Sequence, residues 1–377
     1  TTVAQVLPFL ALPFLARIYD KEQFGLAAIF LSIGLILGNA ISLRLEASLY
    51  HGAHDKNRNN TITLTFILFT ITSFLYSATI AAFSLESIYY IAIFLFLLIA
   101  LTNIEVVNKN VTKKFNQIGV SNIARTSILV ISQLIFGYLG FKYGLIYGIV
   151  LSFLVYYLLL SEPFKFTKFN EIKIFVSESM RIIKYTFPGM ILNTLNGNIP
   201  NIMLLNFYGT EKLGIYSMVT RILGAPSSLI GSAISNVYSG YASTALKKEG
   251  SLFSVFKKTI ILSSLLGIIG FGIFYLNVDL IIKVFLGDQW LETIPYIKIL
   301  IFYFFVNFVV VAISSTDLLL KRNYFYLIFN IVLLLIILGY FLNPSENIEG
   351  YLMYISIFGS AAYAIYGFVC FMVARKK

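Results

Sequence analysis

Residues 61–107 decide the fold, because TITLTFILFTITSFLYSATIAAF (61–83) and SIYYIAIFLFLLIALTNIEVV (87–107) form two apolar runs separated by three residues. The charged residues of this stretch are Glu86 and Glu105. A helix needs about 20 mainly apolar residues to cross a bilayer, and each run meets that length. The runs are too long for strands and lack the alternation of apolar and polar residues that strands show. The stretch therefore predicts two membrane-spanning helices joined by a tight turn.

The same pattern continues along the chain and predicts an all-α, polytopic membrane protein of about twelve spanning helices. The predicted spans are 1–16, 24–49, 61–83, 87–107, 121–140, 143–160, 182–207, 214–241, 258–277, 296–319, 324–342 and 350–373. The composition agrees, since 58% of the residues are hydrophobic and 12% are charged, whereas soluble domains carry roughly 25% charged residues. The chain begins inside an apolar run without a Met, so we expect its N-terminus to be truncated.

The basic residues predict the orientation of these helices. Of the 28 Lys and Arg residues, 19 lie in one set of alternate loops or within three residues of it, 6 lie in or as close to the other set, and 3 lie deeper inside predicted spans. Cytoplasmic loops carry an excess of Lys and Arg. We therefore expect both termini in the cytoplasm, and the net charge of +11 indicates membrane orientation rather than nucleic-acid binding.

The chain divides into two halves. Residues 161–181 are predicted to form a cytoplasmic amphipathic linker between two six-helix lobes, 1–160 and 182–377. A repeated motif, Y-x-x-E-x-[FL]-G, supports this division: it occurs at 19–25 and again 189 residues later at 208–214, each time in a predicted outer loop. Six helices per repeat make the two lobes parallel, and such a pair predicts alternating access around a central cavity.

Several stretches resemble the Wzx-type oligosaccharide flippases. They are PFLARIYDKEQFG (13–25), LRLEAS (43–48), FPGMILNTLN (187–196), YGTEKLGIYSMVTRILGAPSSLI (208–230) and GDQWLETIP (287–295). These flippases belong to the superfamily that also contains the multidrug (MATE) exporters and the lipid II flippase. The resemblance implies a MATE-like fold in a bacterial inner membrane. It also implies movement of undecaprenyl-pyrophosphate-linked oligosaccharide from the cytoplasmic to the outer leaflet, with glycan polymerases or glycosyltransferases as partners.

Arginines inside predicted spans are the strongest candidates for substrate contacts, because a charge in hydrocarbon needs a cavity, a partner or the interface. Arg221 lies seven residues into the eighth span, and a cavity-facing role for pyrophosphate binding is favoured over packing. Arg44 stands two residues from Glu46, a poor pairing distance on a helix, so a cavity role competes with snorkelling. Arg125 lies near the cytoplasmic end of the fifth span, where snorkelling is the simpler interpretation and cavity binding the alternative.

Amides and helix breakers suggest further cavity positions. Asn193 and Asn196 could bind sugar hydroxyls, or they could bond to neighbouring helices. Pro200 in the seventh span, together with Gly224 and Pro226 in the eighth, predicts bends that could act as a gate or hinge.

Three acids are candidates for ion coupling. Glu105 and Asp317 each precede a lysine by four residues (Lys109 and Lys321), a spacing that favours a simple helix-end ion pair. Glu46 has no such partner in the sequence and is the better coupling candidate.

No enzyme, cofactor or metal site is expected. The sequence contains neither the G-x-x-x-x-G-K-[ST] nucleotide loop nor the H-E-x-x-H metal helix, and one cysteine, Cys370, excludes a cysteine metal cluster. His51 and His54 lie in a polar loop and are expected to be solvated. A drug antiporter and a lipid II flippase of the same superfamily are the alternatives. A membrane glycan polymerase would need a larger outer loop.

Overall fold

The computed structural model describes residues 2–50, 54–84, 86–320, 322 and 324–375. Within these residues the chain forms helices and no strand, as the apolar runs predict. The α-helices are α1 (Thr2–Ile18), α2 (Lys21–Ile41), α3 (His54–Ala82), α4 (Ile91–Val111), α5 (Phe115–Tyr138), α6 (Gly144–Leu160), α7 (Phe169–Glu178), α8 (Phe187–Glu249), α9 (Phe253–Leu276), α10 (Val278–Phe285), α11 (Thr293–Ile313), α12 (Thr316–Leu319), α13 (Tyr324–Tyr340), α14 (Ile348–Tyr354) and α15 (Ser360–Arg375).

The helices match the predicted membrane spans. Among the described residues, seven helical segments are long and apolar enough to cross a membrane, and three shorter apolar helices, Val6–Ile18, Gly144–Leu160 and Tyr324–Tyr340, accompany them. Helix α8 is 63 residues long and contains the two remaining predicted spans, one on each side of Gly209. The all-α, polytopic membrane fold is therefore confirmed.

The repeated motif marks a helix break in both copies. In the first copy, α1 ends at Ile18 and α2 begins at Lys21. Asp20 and Gln23 cap α2 reciprocally, since each backbone N–H donates to the other's side chain at 2.9 and 2.8 Å. In the second copy, the break is Gly209, at φ 82 and ψ 175, a conformation that a glycine adopts without steric cost. Asp20 and Gly209 are 189 residues apart, so the helix breaks occur at equivalent positions of the sequence repeat.

The second predicted span, 24–49, is too long at its C-terminal end. Helix α2 stops at Ile41 because Leu43 and Arg44 adopt left-handed conformations, with φ of 48 and 61, which an α-helix cannot contain. A short 3₁₀ helix follows at Leu45–Tyr50. The LRLEAS stretch therefore comprises the turn at Leu43 and Arg44 and the first residues of the 3₁₀ helix, and none of it lies on α2.

The backbone divides into two compact units. Unit 1 comprises Thr1–Ala11 and Leu26–Ile202, and unit 2 comprises Leu12–Gly25 and Met203–Lys377. In unit 1, α6 packs against α4 and α5, and in unit 2, α11 packs against α9 and α15.

The linker is fastened to unit 1 over its first residues. Residues 161–168 form no helix or strand, and Arg58 of α3 donates to the carbonyl oxygens of Glu162 and Pro163 at 2.7 and 3.1 Å. The backbone N–H of Thr167 donates to Thr63 at 3.1 Å. Helix α7 then buries Ile172 and Phe175, two of the apolar positions that predicted an amphipathic segment.

Candidate functional site

A cavity of about 460 Å³ with both apolar and polar walls lies within unit 1. Four helices, α2, α4, α5 and α6, supply its walls. Leucine, isoleucine and phenylalanine side chains line part of it, and its polar lining residues are Asn39, Thr102, Asn103, Asn122, Arg125, Ser152 and Tyr156. The cavity can therefore hold a ligand that carries both hydrogen-bonding groups and negative charge.

Arg125 supplies the positive charge of this cavity. Its Nε and Nη2 atoms donate to Asn122 Oδ1 at 3.3 and 3.2 Å. Its guanidinium lies 5.3 Å from the ring centroid of Phe153 and 5.4 Å from that of Tyr156, within the range of cation–π attraction. Among the residues that the structure describes, no carboxylate pairs with it. The charge is held by neutral groups and remains available to an anion.

A chain of amides and hydroxyls extends from this cavity. Asn103 donates to Asn39 Oδ1 at 2.8 Å, and Asn39 donates to Thr194 Oγ1 at 3.2 Å. These contacts join α2, α4 and α8 within unit 1. Of the two asparagines predicted from the sequence, Asn193 is exposed and Asn196 is half-buried, and neither lines this cavity.

Sequence reasoning missed Asn39, Asn103 and Asn122. Each lies in a helix long and apolar enough to cross a membrane, and the signal that could have found them is the cost of an amide in hydrocarbon. An amide there needs a partner on another helix or a wet cavity. The sequence flagged three arginines and the amides Asn193 and Asn196, but not these three amides.

Arg221 lies in unit 2, on α8, eleven residues beyond Thr210. At 1.5 Å per residue this places it about 17 Å from the helix break. The helix begins before residue 214, the predicted start of the span, so Arg221 lies deeper in it than expected. Its guanidinium sits 5.3 Å from the ring centroid of Phe24. It is half-buried, and no described carboxylate pairs with it.

Arg44 and Glu46 contradict the expectation that they are poor partners. Arg44 Nη1 lies 3.3 Å from Glu46 Oε1, and the Glu46 side chain is 2% exposed. The expectation assumed a continuous helix, and α2 ends before these residues. The turn at Leu43 and Arg44 brings the two side chains together, so Glu46 does have a basic partner.

Glu105 also pairs differently from the sequence prediction. Its Oε1 accepts from the Arg58 guanidinium, and its Oε2 accepts from Asn108 at 2.9 Å. Lys109, the predicted partner, instead contacts Glu162 at 2.5 Å. A buried carboxylate takes the partner that satisfies most of its oxygens, and a guanidinium from another helix does so better than a lysine on the same helix.

Glu162 lies outside the membrane-spanning helices and forms a cluster with Lys109 and Lys114. Lys109 and Lys114 both approach its Oε1, at 2.5 and 2.8 Å. Hydrogen bonds from these two lysines lower the pKa of Glu162 from 4.5 to about 2. The cluster is a paired network that fastens the linker.

Asp317 is buried, with 5% of its surface exposed. Its Oδ2 accepts from the Tyr366 hydroxyl at 3.0 Å, and its Oδ1 accepts from the backbone N–H of Leu318 at 2.8 Å. Its predicted partner, Lys321, lies outside the described residues. Of the three predicted coupling acids, Asp317 is the one whose contacts, among described residues, are neutral groups.

The predicted hinge residues lie within continuous helix. Helix α8 runs through Pro200, Gly224 and Pro226, and its residue with non-helical dihedrals is Gly209. The sequence pointed to prolines because they remove a helical hydrogen bond. A glycine at positive φ breaks the helix more completely.

The described residues hold no group of three or more His, Cys, Asp and Glu side chains that could bind a metal ion. His54 contacts the neighbouring Asp55 at 3.2 Å, and His51 lies outside the described residues.

A sequence model of the family described as "Polysaccharide biosynthesis protein" matches residues 14–295. This match covers most of the chain. No curated protein sequence matched.

Several solved structures have the same fold. The lipid II flippase MurJ, in an inward closed conformation, is 16% identical, with a TM-score of 0.73 over 99% of this chain and 86% of that one. A multidrug resistance MATE family transporter of the MOP superfamily, in an inward-facing conformation, is 14% identical, with a TM-score of 0.62 over 99% of this chain and 96% of that one. An outward-facing MATE structure gives 14% identity and a TM-score of 0.58, over 100% of this chain and 93% of that one. At these identities the likeness shows the fold alone.

Proposed function

The chain belongs to the polysaccharide biosynthesis protein family, and we propose on that basis that it is a flippase for lipid-linked oligosaccharide. Its substrate is an undecaprenyl-pyrophosphate glycan, which it carries from the cytoplasmic to the outer leaflet of a bacterial inner membrane by alternating access. Both termini lie in the cytoplasm. The flipped unit is a substrate for a glycan polymerase or glycosyltransferase on the outer side.

The observation that carries this proposal is the cavity around Arg125. A guanidinium binds phosphate oxygens through paired N–H donors, and Arg125 has no described carboxylate to compete for them. The amides and hydroxyls on the same walls match the hydroxyls of a sugar. A cationic drug would be repelled by the same charge, so this chemistry favours the glycan over the drug-antiporter alternative.

The first test measures flipping directly. The full chain is reconstituted in liposomes with a fluorescent polyprenyl-pyrophosphate disaccharide, and movement between leaflets is followed by quenching from outside. Arg125→Gln should reduce the rate at least about tenfold, the effect of losing one charge-assisted contact. Lys142→Gln, which removes an exposed lysine near the half-buried Tyr143 ring, is the matched control and should not reduce the rate. Equal rates for both variants and the parent would overturn the role of the cavity.

The second test concerns Arg221, which we propose contacts the anionic head of the substrate during transport. Arg221→Lys should keep partial export because the charge survives while the planar fork is lost. Arg221→Ala should abolish surface glycan display in a strain lacking the gene and should leave the amount of membrane protein normal. Lys212→Ala, on the same helix, is the control. Full display by Arg221→Ala would reduce Arg221 to a packing residue.

In this proposal Asp317 is the residue that couples transport to an ion gradient. Glu46 and Glu105 are each neutralised by an arginine, whereas Asp317 contacts a hydroxyl and a backbone N–H. Asp317→Asn should remove the dependence of flipping on an imposed proton or sodium gradient. Glu105→Gln should instead lower the amount of folded protein and leave the gradient dependence of the remaining protein unchanged. Undiminished gradient dependence in Asp317→Asn would exclude this role.

Lipid II shares the polyprenyl pyrophosphate of the proposed substrate, so the same cavity chemistry would serve it. Complementation separates the two: the chain should restore surface polysaccharide in a flippase-deficient strain. It should not restore growth to a strain depleted of its lipid II flippase.

A further inference from the structure

Residues 165–185, which run from the fastened part of the linker to just before α8, carry five cations and two acids. We call this segment the linker surface. Its acids are Glu171 and Glu178. All five cations are exposed, and none has an ion pair with a residue that the structure describes: Lys165, Lys168, Lys173, Arg181 and Lys184. The outward side of the segment therefore carries an excess of positive charge.

Large apolar side chains are exposed among these cations. They are Phe166, Phe169, Ile174, Met180 and Tyr185, and the Phe169 and Tyr185 side chains have 73% and 70% of their surfaces exposed. Phe169 and Lys173 are four residues apart on α7, so they lie on the same side of the helix. Exposed apolar groups bordered by polar residues mark a surface that binds a partner or a membrane.

The fold holds the linker surface beside the bilayer. Ile172 and Phe175 of α7 are buried, and α7 packs against α3. Most of the apolar part of α3 is not buried in protein, so α3 borders lipid and α7 lies next to that border. The chain enters the segment from α6 and leaves it into α8, and both of these helices are predicted spans. The segment thus lies where a membrane-spanning helix ends and lipid headgroups begin.

We propose that the linker surface binds the acidic phospholipids of the leaflet it faces, which is the cytoplasmic leaflet in the predicted orientation. A lysine or arginine near an acidic membrane surface contributes about fivefold in affinity. Aromatic and aliphatic side chains enter the boundary between headgroups and acyl chains. A soluble acidic partner would satisfy the cations but would leave part of the apolar side chains in water, whereas a lipid surface meets both. The inference goes beyond the proposed function and holds for any transported substrate.

Residues 247–258 provide a comparison within the same chain. They belong to another predicted cytoplasmic loop and also carry four exposed lysines: Lys247, Lys248, Lys257 and Lys258. Among the described residues of this stretch, however, no large apolar side chain is exposed. The loop has the positive charge expected of cytoplasmic loops in general but lacks the side chains that would enter a membrane surface. It therefore supplies a matched control with the same charge.

The test uses the full chain in lipid nanodiscs, with a bimane dye on Ser177→Cys in a Cys370→Ala background. Ser177 is exposed on α7, so the dye reports on this surface alone. The nanodiscs contain mainly phosphatidylcholine with a minority of phosphatidylglycerol, and a doxyl quencher is attached to one lipid or the other in equal amount. Labelled phosphatidylglycerol should quench the dye at least about threefold more than labelled phosphatidylcholine, because headgroup charge makes it the enriched neighbour.

Two four-lysine variants decide whether the linker charges cause this preference. The linker variant combines Lys165→Gln, Lys168→Gln, Lys173→Gln and Lys184→Gln, and it should bring the quenching ratio close to one. The control variant combines Lys247→Gln, Lys248→Gln, Lys257→Gln and Lys258→Gln, and it should leave the ratio at Ser177 unchanged. A single exchange such as Lys168→Gln leaves four cations and should lower the ratio only slightly. Salt of about 1 M should lower the ratio in the parent, because it screens exposed charges.

The apolar side chains are tested by Phe166→Ser combined with Phe169→Ser. Quenching by both lipids should fall about twofold while the preference for phosphatidylglycerol remains, because the charges are kept and insertion is lost.

Equal quenching by the two labelled lipids in the parent would overturn the proposal, as would a preference that survives in the linker variant. Absence of quenching by either lipid would place the surface in water, favour a soluble acidic partner and overturn it too. If the linker variant does not fold, the salt titration of the parent gives the answer, and a ratio that salt does not change would refute the proposal. None of these measurements needs a transported substrate, so failure of the proposed function would leave their outcome intact.

Discussion

Arg58 and Arg125 lie in the same unit, and each is withdrawn from bulk water, yet their surroundings differ in kind. Arg58 is 5% exposed and bonds to a carboxylate, Glu105, and to two backbone carbonyls. Arg125 bonds to an amide and lies over two aromatic rings. A fully paired charge holds structure together, and a charge held by neutral groups can still bind something else. The difference separates a structural arginine from a candidate binding arginine.

The largest effect should follow from unpairing Glu105. Arg58→Leu leaves a carboxylate with 1% exposure without its cation, and breaking a buried pair in this way costs about 3–5 kcal/mol. We expect a sharp loss of folded protein in thermal unfolding monitored by detergent-phase chromatography. Arg58→Leu combined with Glu105→Leu should recover part of this loss, because no charge is then stranded. A double variant less stable than the single one would contradict the pairing argument.

Arg125→Gln should affect flipping strongly and unfolding stability little, the reverse of Arg58→Leu. Its unfolding stability should stay within about 1 kcal/mol of the parent, because no carboxylate loses a partner, while flipping falls. Measuring both quantities on one preparation sharpens the comparison with Arg58. A stability loss as large as that of Arg58→Leu would show that Arg125 is structural as well.

Arg44→Gln should fall between these two variants. Glu46 is 2% exposed and Arg44 is 43% exposed, so water replaces part of the lost pairing. A hydrogen bond to a charged group contributes about 1.5–3 kcal/mol, and we expect a loss near the lower value in the same unfolding assay. The double variant Arg44→Gln with Glu46→Gln should be closer to the parent than the single variant, and failure of that recovery would argue against the pair.

Glu162 predicts a pH effect of smaller size. Its folded pKa of about 2 lies below the ordinary value of 4.5, so the ionised form is stabilised by folding. Its contribution is complete above pH 4.5 and is lost as the pH falls from 4.5 toward 2. Because Glu162 is one-third exposed, we expect about 1 kcal/mol after screening. The difference in stability between the parent and Glu162→Gln should shrink between pH 6 and pH 3; a constant difference would exclude the linkage.

The smallest effect belongs to the exposed lysines that follow the fastened part of the linker. Lys168→Gln and Lys173→Gln remove charges that lie on the surface and have no described ion pair. Glycan display and unfolding stability should both stay within error of the parent. A loss of display at normal protein amount would show that the linker takes part in transport directly.

The candidate site was only partly predictable. Arg125 and Arg221 stood out because charge is conspicuous in an apolar run, but the amides that share the cavity with Arg125 did not. Arg58 lies three residues before the predicted span 61–83 and so counted as a loop residue, whereas α3 begins before it and buries it. Helical spacing predicted that Glu105 pairs with Lys109 and that Glu46 has no partner. Both predictions were wrong: the first ignored side chains on other helices, and the second assumed that α2 continues past Ile41.

The sequence by itself determined the membrane spans, the break between α1 and α2, and its repetition 189 residues later. These features depend on the hydropathy of about 20 consecutive residues or on turn residues within a few positions, so the information is local. Only the tertiary structure decided which buried charges are paired. The partner of Glu105 lies 47 residues away and that of Lys109 lies 53 residues away. Burial makes a partner necessary, but hydropathy does not say which helix will provide it, because that depends on how the helices pack in space.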